Sequence, residues 1–147
     1  MALLSRAAAR DFFDLALVYR MNREVFSDNS FRIALICGIA ARREGLAKLE
    51  NTVPRLNKGE FKEKVLPLLI GGESHMRLFD EISKNAKDAL NLVLPLTSAE
   101  RDFINAVSKD GLIDPELLGV KRNIAQSILK QPMLLWKVKH VKEFRGS

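Results

Sequence analysis

From Ser74 to Val93 the chain reads SHMRLFDEISKNAKDALNLV, and within it Met76, Phe79, Ile82, Ala86, Leu90 and Val93 recur at three- and four-residue intervals. A helix turns about 100° per residue, so that spacing gathers all six on one stripe and leaves the charged residues for water. The stretch predicts an amphipathic helix of about twenty residues, which Pro95 terminates. No run of the chain alternates with period two for long enough to make a strand.

Working outward, punctuation residues divide the remainder into further helices. Thr97 with Glu100 has the form of a capping box ahead of Phe103, Ile104 and Val107, and Gly111 is placed to end that helix as its C′ residue. Asp114-Pro115-Glu116 sets an N-cap, a proline and an acid in order, starting a short helix that Gly119 stops. Two more helices are predicted, over 120–129 and 132–144. On the N-terminal side, Asn57 with Glu60 resembles a capping box for a helix over 61–70, with Pro67 as a kink or early stop and Gly71-Gly72 as its end. Ser30 offers an N-cap for a dense apolar helix over 31–43 that Gly45 can close, Pro54 interrupts 46–56, and a first helix spans 2–19. The expectation is an all-α, irregular bundle of about six to eight helices forming a single helical domain over residues 1–147.

The chain has 147 residues, 47% hydrophobic and 29% charged, enough to bury a core without a metal or disulfide staple. Its single cysteine, Cys37, sits inside an apolar run, which reads as an inert core thiol. His75 and His140 each stand alone, so no zinc site is implied, and no G-x-x-x-x-G-K phosphate loop occurs. Arg6 and Arg10 interrupt what would be a secretory leader. The longest apolar run, Ile33 to Ala41, is far shorter than the ~20 residues of a membrane span, so no membrane partner is expected and the cytoplasm is the expected location.

The net charge is +6, and from Lys121 onward seven basic residues face Glu143 alone. A basic end on an otherwise balanced chain can meet phosphates, whereas a bare solvated face is the alternative. Lys137, Lys139, Lys142 and Arg145 are the candidate nucleic-acid contacts. Trp136 continues the apolar run Met133-Leu134-Leu135 and reads as a core anchor rather than a stacking platform.

The chemical candidate lies at the start of the chain, in Ser5-Arg6-Ala7-Ala8-Ala9-Arg10-Asp11-Phe12-Phe13-Asp14-Leu15. On one continuous helix Arg6, Arg10, Asp14 and Asp11 would share a stripe with apolar residues on both flanks, leaving little face for water and placing the charges in a cleft. Two carboxylates three residues apart can share a cation or a reacting hydroxyl, and the arginines can hold phosphate oxygens. The alternative is an Arg10–Asp14 ion pair that only fixes the helix.

At these residues the chain resembles the AbiEii-type nucleotidyltransferases, toxins of type IV toxin-antitoxin and abortive-infection systems. The family's late motif, R-x-x-x-R-D-aromatic-x-D-L, stands here as Arg6, Arg10, Asp11, Phe12, Asp14 and Leu15. The resemblance continues through Leu94-Pro95-Leu96-Thr97 with Glu100 and Phe103, through Gly111 to Leu118, and through Leu134-Leu135-Trp136-Lys137 with Val141, Arg145 and Gly146. It implies the C-terminal helical half of such an enzyme. Family members also carry a mixed α/β core with a Gly-Ser turn and a D-x-D pair that bind triphosphate and Mg²⁺, and a lysine shortly before the arginine motif; no such segment stands in this sequence.

The resemblance therefore implies a chain inactive alone and without a cofactor of its own, from an architecture that transfers a nucleotide from a nucleoside triphosphate to an acceptor such as tRNA. Asp14, then Asp11, would face the reacting centre, while Arg10 and Arg6 would hold phosphates or the aspartates. With the other wall of the site missing, Arg10 and Asp14 are expected to be exposed. Implied partners are tRNA, an upstream-encoded catalytic half or a cognate antitoxin. The competing readings are a free-standing helical module that binds RNA or protein, and a truncated product without function.

Overall fold

Side-chain caps fix where three of the α-helices begin. The computed structural model describes residues 8–42, 46, 55–69 and 75–145. Among these there are seven α-helices: α1 Ala9–Met21, α2 Asn29–Ala40, α3 Lys58–Lys64, α4 His75–Val93, α5 Ser98–Asn105, α6 Arg122–Leu129 and α7 Pro132–Arg145. Short 3-10 turns lie at Arg23–Ser27, Leu66–Leu68 and Pro115–Leu118, a π-helical segment Ala106–Asp110 extends α5, and no strand occurs among the described residues. The protein is an all-α, multi-helix bundle.

The box at α5 is complete: the Thr97 hydroxyl accepts from the Glu100 amide at 3.2 Å and the Glu100 carboxylate accepts from the Thr97 amide at 2.7 Å. Each satisfies an amide that the helix start would otherwise leave unpaired. At α3 only half the box forms. Asn57 caps the Glu60 amide at 3.0 Å, but the Glu60 carboxylate binds Lys64 at 3.0 Å. At α2 the cap is Asp28, not Ser30; its carboxylate accepts from the amides of Ser30 and Phe31 at 2.8 and 3.0 Å. A longer, ionised acceptor two residues earlier outcompetes the hydroxyl.

Helix ends follow the same logic. Pro67 acts as an early stop: α3 closes at Lys64 and the chain continues as the 3-10 turn Leu66–Leu68. Helix α2 ends at Ala40 rather than near residue 43, while Gly45, Pro54 and the Gly71-Gly72 stop lie outside the described residues. Gly111 ends the π segment in the left-handed region, φ 65°. Gly119 closes the Pro115 turn in the same way, φ 59°, with Asp114 capping the Glu116 amide at 3.1 Å.

The chain divides into two compact units, one of Met1–Arg32 and Thr52–Pro95, the other of Ile33–Asn51 and Leu96–Ser147. In the first, α1 and α4 are the principal pair and α3 packs on α1. Ala9 and Ala16 of α1 and Ala86 of α4 are fully buried or nearly so, and with Phe12, Phe61, Val65, Ile82 and Leu90 they form its core. Phe61 and Phe79 meet edge to face at 5.4 Å. The Phe26 ring bridges Tyr19 and Phe31 at 5.6 and 5.3 Å, so a short aromatic chain ties the Arg23–Ser27 turn to the helices on either side of it. Along α4, Ile82, Ala86, Leu90 and Val93 of the opening stripe are buried, whereas Met76 at the helix start is exposed.

In the second unit, α5 packs on the Pro115–Leu118 turn, α7 lies along the π segment, and α6 touches both that turn and α7. Phe103, Ile104, Val107, Ile128 and Leu134 are buried there, as are Ile36, Cys37, Ile39 and Ala40 of α2. No helix among the described residues is long and apolar enough to cross a membrane.

Candidate functional site

Of the arginine and aspartate motif, Arg10, Asp11 and Asp14 lie on α1, which starts at Ala9 after an extended Ala8, ψ 148°. Arg6 lies outside the described residues. Asp11, in the first turn of α1, is buried at 8% exposure and has a bonding partner. Arg10 and Asp14 are both exposed, and among the described residues they are not bonded to each other.

Helix α1 also gives a face to water, contrary to the reading of its flanks. Leu17, Val18 and Met21 are exposed beside Arg10 and Asp14. The reason is geometric: the core takes Ala9, Phe12 and Ala16, a narrow stripe of two small residues and one large one that lets α4 approach closely. The groove between α1 and α4, about 120 Å³, is bounded by Phe13, Leu17, Leu78 and Ile82 and rimmed by an Arg20–Glu81 ion pair of 3.2 Å. Among the described residues no three of His, Cys, Asp or Glu stand together as a ligand set for a metal ion.

The N-terminus of α1 has a carboxylate nearby from another helix. Glu60 of α3 has its pKa held below the ordinary carboxylate value, first by its bond to Lys64, with the Lys64 charge and the Ala9 backbone amide acting in the same direction. The charge of Asp11 and partial desolvation oppose these. An acid beside the first amides of a helix meets the positive end of its dipole, and Ala8 supplies no side-chain cap of its own.

A larger groove lies in the second unit. A groove of about 660 Å³ is lined by Ser108 and Lys109 of the π segment and by Trp136, Lys137, His140, Phe144 and Arg145 of α7. Two local features build it. The π segment widens the last turn of α5; the Leu112 amide reaches the Ala106 carbonyl at 3.0 Å, and the extra residue turns Ser108 and Lys109 toward α7. Helix α7 in turn faces the core with Leu134, 0% exposed, and its neighbours by helical rotation form the groove wall.

That rotation corrects the reading of Trp136. It is two residues, or about 200°, from Leu134, and it is 59% exposed rather than a core anchor. Consecutive apolar residues such as Met133-Leu134-Leu135-Trp136 cannot all face inward on one helix. Trp136 instead stacks on His140, with ring centroids 4.0 Å apart and a tilt of 34°, and the His140 Nδ1 lies 3.0 Å from the Trp136 carbonyl oxygen.

Of the four predicted basic contacts, Lys137 and Arg145 reach the groove. Arg145 donates to Asp110 at 3.2 Å, which pins the end of α7 to the π segment. Lys139, turned about 200° from Lys137, faces Glu143 at 3.9 Å instead. The Lys142 stem lies over the end of the π segment, where its Cγ is 3.2 Å from the position a Cβ on Gly111 would take. Lys109, His140 and Phe144 were not singled out from the sequence as contacts, although i, i+4, i+8 spacing relates Trp136, His140 and Phe144 and was open to reading.

Cys37 is buried, and desolvation pushes its thiol up to about 11, so it is protonated and unreactive at neutral pH. Comparison with protein-family models, with curated proteins and with solved structures finds no match to this chain.

Proposed function

We propose that the chain is the acceptor-binding helical part of a nucleotidyltransferase toxin-like system of the AbiEii type, and that its own contribution is to hold RNA in the groove between α7 and the π segment. The observation that carries this reading is the union of cations and open aromatic rings on one concave surface. Lys109, Lys137 and Arg145 can take phosphates, and Trp136, His140 and Phe144 offer faces to bases, the pairing of features that nucleic-acid grooves use.

The transfer reaction belongs to the reading only through the resemblance. The matching motif would contribute Arg10, Asp11 and Asp14 to a reacting centre supplied from elsewhere, and Asp14 is exposed. Triphosphate binding would come from an upstream-encoded catalytic half, and Mg²⁺ with it. An antitoxin is the further partner the reading implies, and the cytoplasm is where such a system would act.

RNA binding is tested by anisotropy of labelled tRNA at increasing salt. Affinity should fall steeply, and Lys137→Gln should weaken binding and reduce the salt slope by about one. Binding that is indifferent to salt and to Lys137 would overturn the reading. The inactivity of the chain alone is tested with radioactive nucleoside triphosphate, Mg²⁺ and tRNA: no label should transfer. Transfer abolished by Asp14→Ala would contradict it.

A second reading, a free-standing module that binds protein, draws on the exposed Leu129, Met133 and Leu135 of α6 and α7. The coding region upstream separates the two. A frame encoding a Gly-Ser turn and a D-x-D pair favours the divided enzyme, and an independent promoter and ribosome site favours the module.

A further inference from the structure

We infer that Trp136, His140 and Phe144 form a stacking platform for unpaired bases, so that the groove takes single-stranded RNA in preference to duplex. The inference rests on the RNA-binding reading and specifies its ligand. The three residues lie at i, i+4 and i+8, on one face of α7, with successive rings about 6 Å apart along the axis. Two of the three are already organised: the Trp136 and His140 rings stack at 4.0 Å, and the contact between His140 Nδ1 and the Trp136 carbonyl oxygen, 3.0 Å, fixes the imidazole against the helix. Phe144 is 82% exposed, without a ring partner among the described residues.

Cations run beside that row. Lys137 and Arg145 follow Trp136 and Phe144 by one residue, a rotation of about 100°, with Val141 between them, and Lys109 faces them from the π segment. Bases and phosphates thus have separate tracks on one surface. The Asp110 contact engages one nitrogen of Arg145 and leaves the other N–H donors of its guanidinium for a phosphate. A patch meant for an apolar partner would not need this cationic border, and a merely solvated basic face would not expose an indole and a phenyl ring. In a duplex the base faces are covered by their neighbours, whereas unpaired bases can splay onto aromatic side chains.

The chain has a single tryptophan, so its emission reports on this groove alone. The full chain is titrated with a fluorescein-labelled oligouridylate, with a blunt RNA duplex, and with the same duplex bearing an unpaired 3′ tail. Trp136 emission and label anisotropy are recorded together at fixed salt. The single strand and the tailed duplex should quench Trp136 and bind about ten-fold more tightly than the blunt duplex. Phe144→Ala, at an exposed position, should remove most of that preference. Equal binding of all three RNAs, or rising anisotropy without a change in Trp136 emission, would overturn the stacking platform while leaving RNA binding intact. No anisotropy change with any RNA would overturn both.

Discussion

The two units use charge in opposite ways. In the first, the ionisable residues of α1 sit around a conventional core: Asp11 is tucked in at the helix start near Glu60, while Arg10 and Asp14 point away from the packed face. In the second, cations and aromatic rings share an open groove between α7 and the widened end of α5. The described groove of the first unit is lined by Phe13, Leu17, Leu78 and Ile82 rather than by Arg10, Asp11 or Asp14. The groove of the second is larger and brings Lys109, Lys137 and Arg145 together with Trp136, His140 and Phe144. The contrast shows that a motif read along the sequence and a site in three dimensions are separate properties.

The largest effects that would break this comparison are on the cores. Phe12→Ala in the first unit should cost about 3–5 kcal/mol, and Leu134→Ala in the second about 2–5 kcal/mol, read by urea denaturation. If Leu134→Ala were silent, α7 would not be seated as described and the groove wall would have no anchor. A smaller effect is expected at the C-cap of the π segment. Gly111→Ala places a Cβ at φ 65° and should cost about 1–2 kcal/mol, and it should also weaken RNA binding because the Lys142 stem must move. Loss of stability with unchanged binding would separate the cap from the groove.

The smallest effect concerns pH. Glu60 has a folded pKa below its ordinary value, so its contribution is complete above the ordinary carboxylate range and is lost as pH falls through the lowered folded value. Glu60→Gln should flatten the acid side of the stability profile and leave the neutral side nearly unchanged. An acid limb identical in the two proteins would remove Glu60 from the support of the α1 N-terminus.

Much of the fold was legible because its signals are local. Period 3.6 in Ile82, Ala86 and Leu90, the Thr97–Glu100 box, the Gly111 and Gly119 stops and the Asp114-Pro115 start each depend on residues within one turn of one another. The misreadings arose where two local signals competed. Asp28 and Ser30 both suit an N-cap, and the carboxylate won. Glu60 suited a capping box but found Lys64 instead. The candidate sites were less legible, because they depend on rotation and on partners distant in sequence. No property of the run Met133 to Trp136 shows which member faces in until Leu134 is placed. The pairing of Arg145 with Asp110 spans 35 positions. Lys109 joins the groove only because the end of α5 widens into a π segment, which no sequence period announces.

The account's central claim is that RNA engages the second unit through the α7 groove and not through the α1 motif. The most direct test is a titration of the isotopically labelled chain with single-stranded RNA, followed by amide and indole resonances in a ¹H–¹⁵N correlation spectrum. The account predicts shifts at the Trp136 indole and at the amides of Lys109, Lys137, His140 and Arg145, with Arg10 and Asp14 unmoved. Shifts centred on Arg10 to Asp14 with a silent Trp136 indole would contradict it.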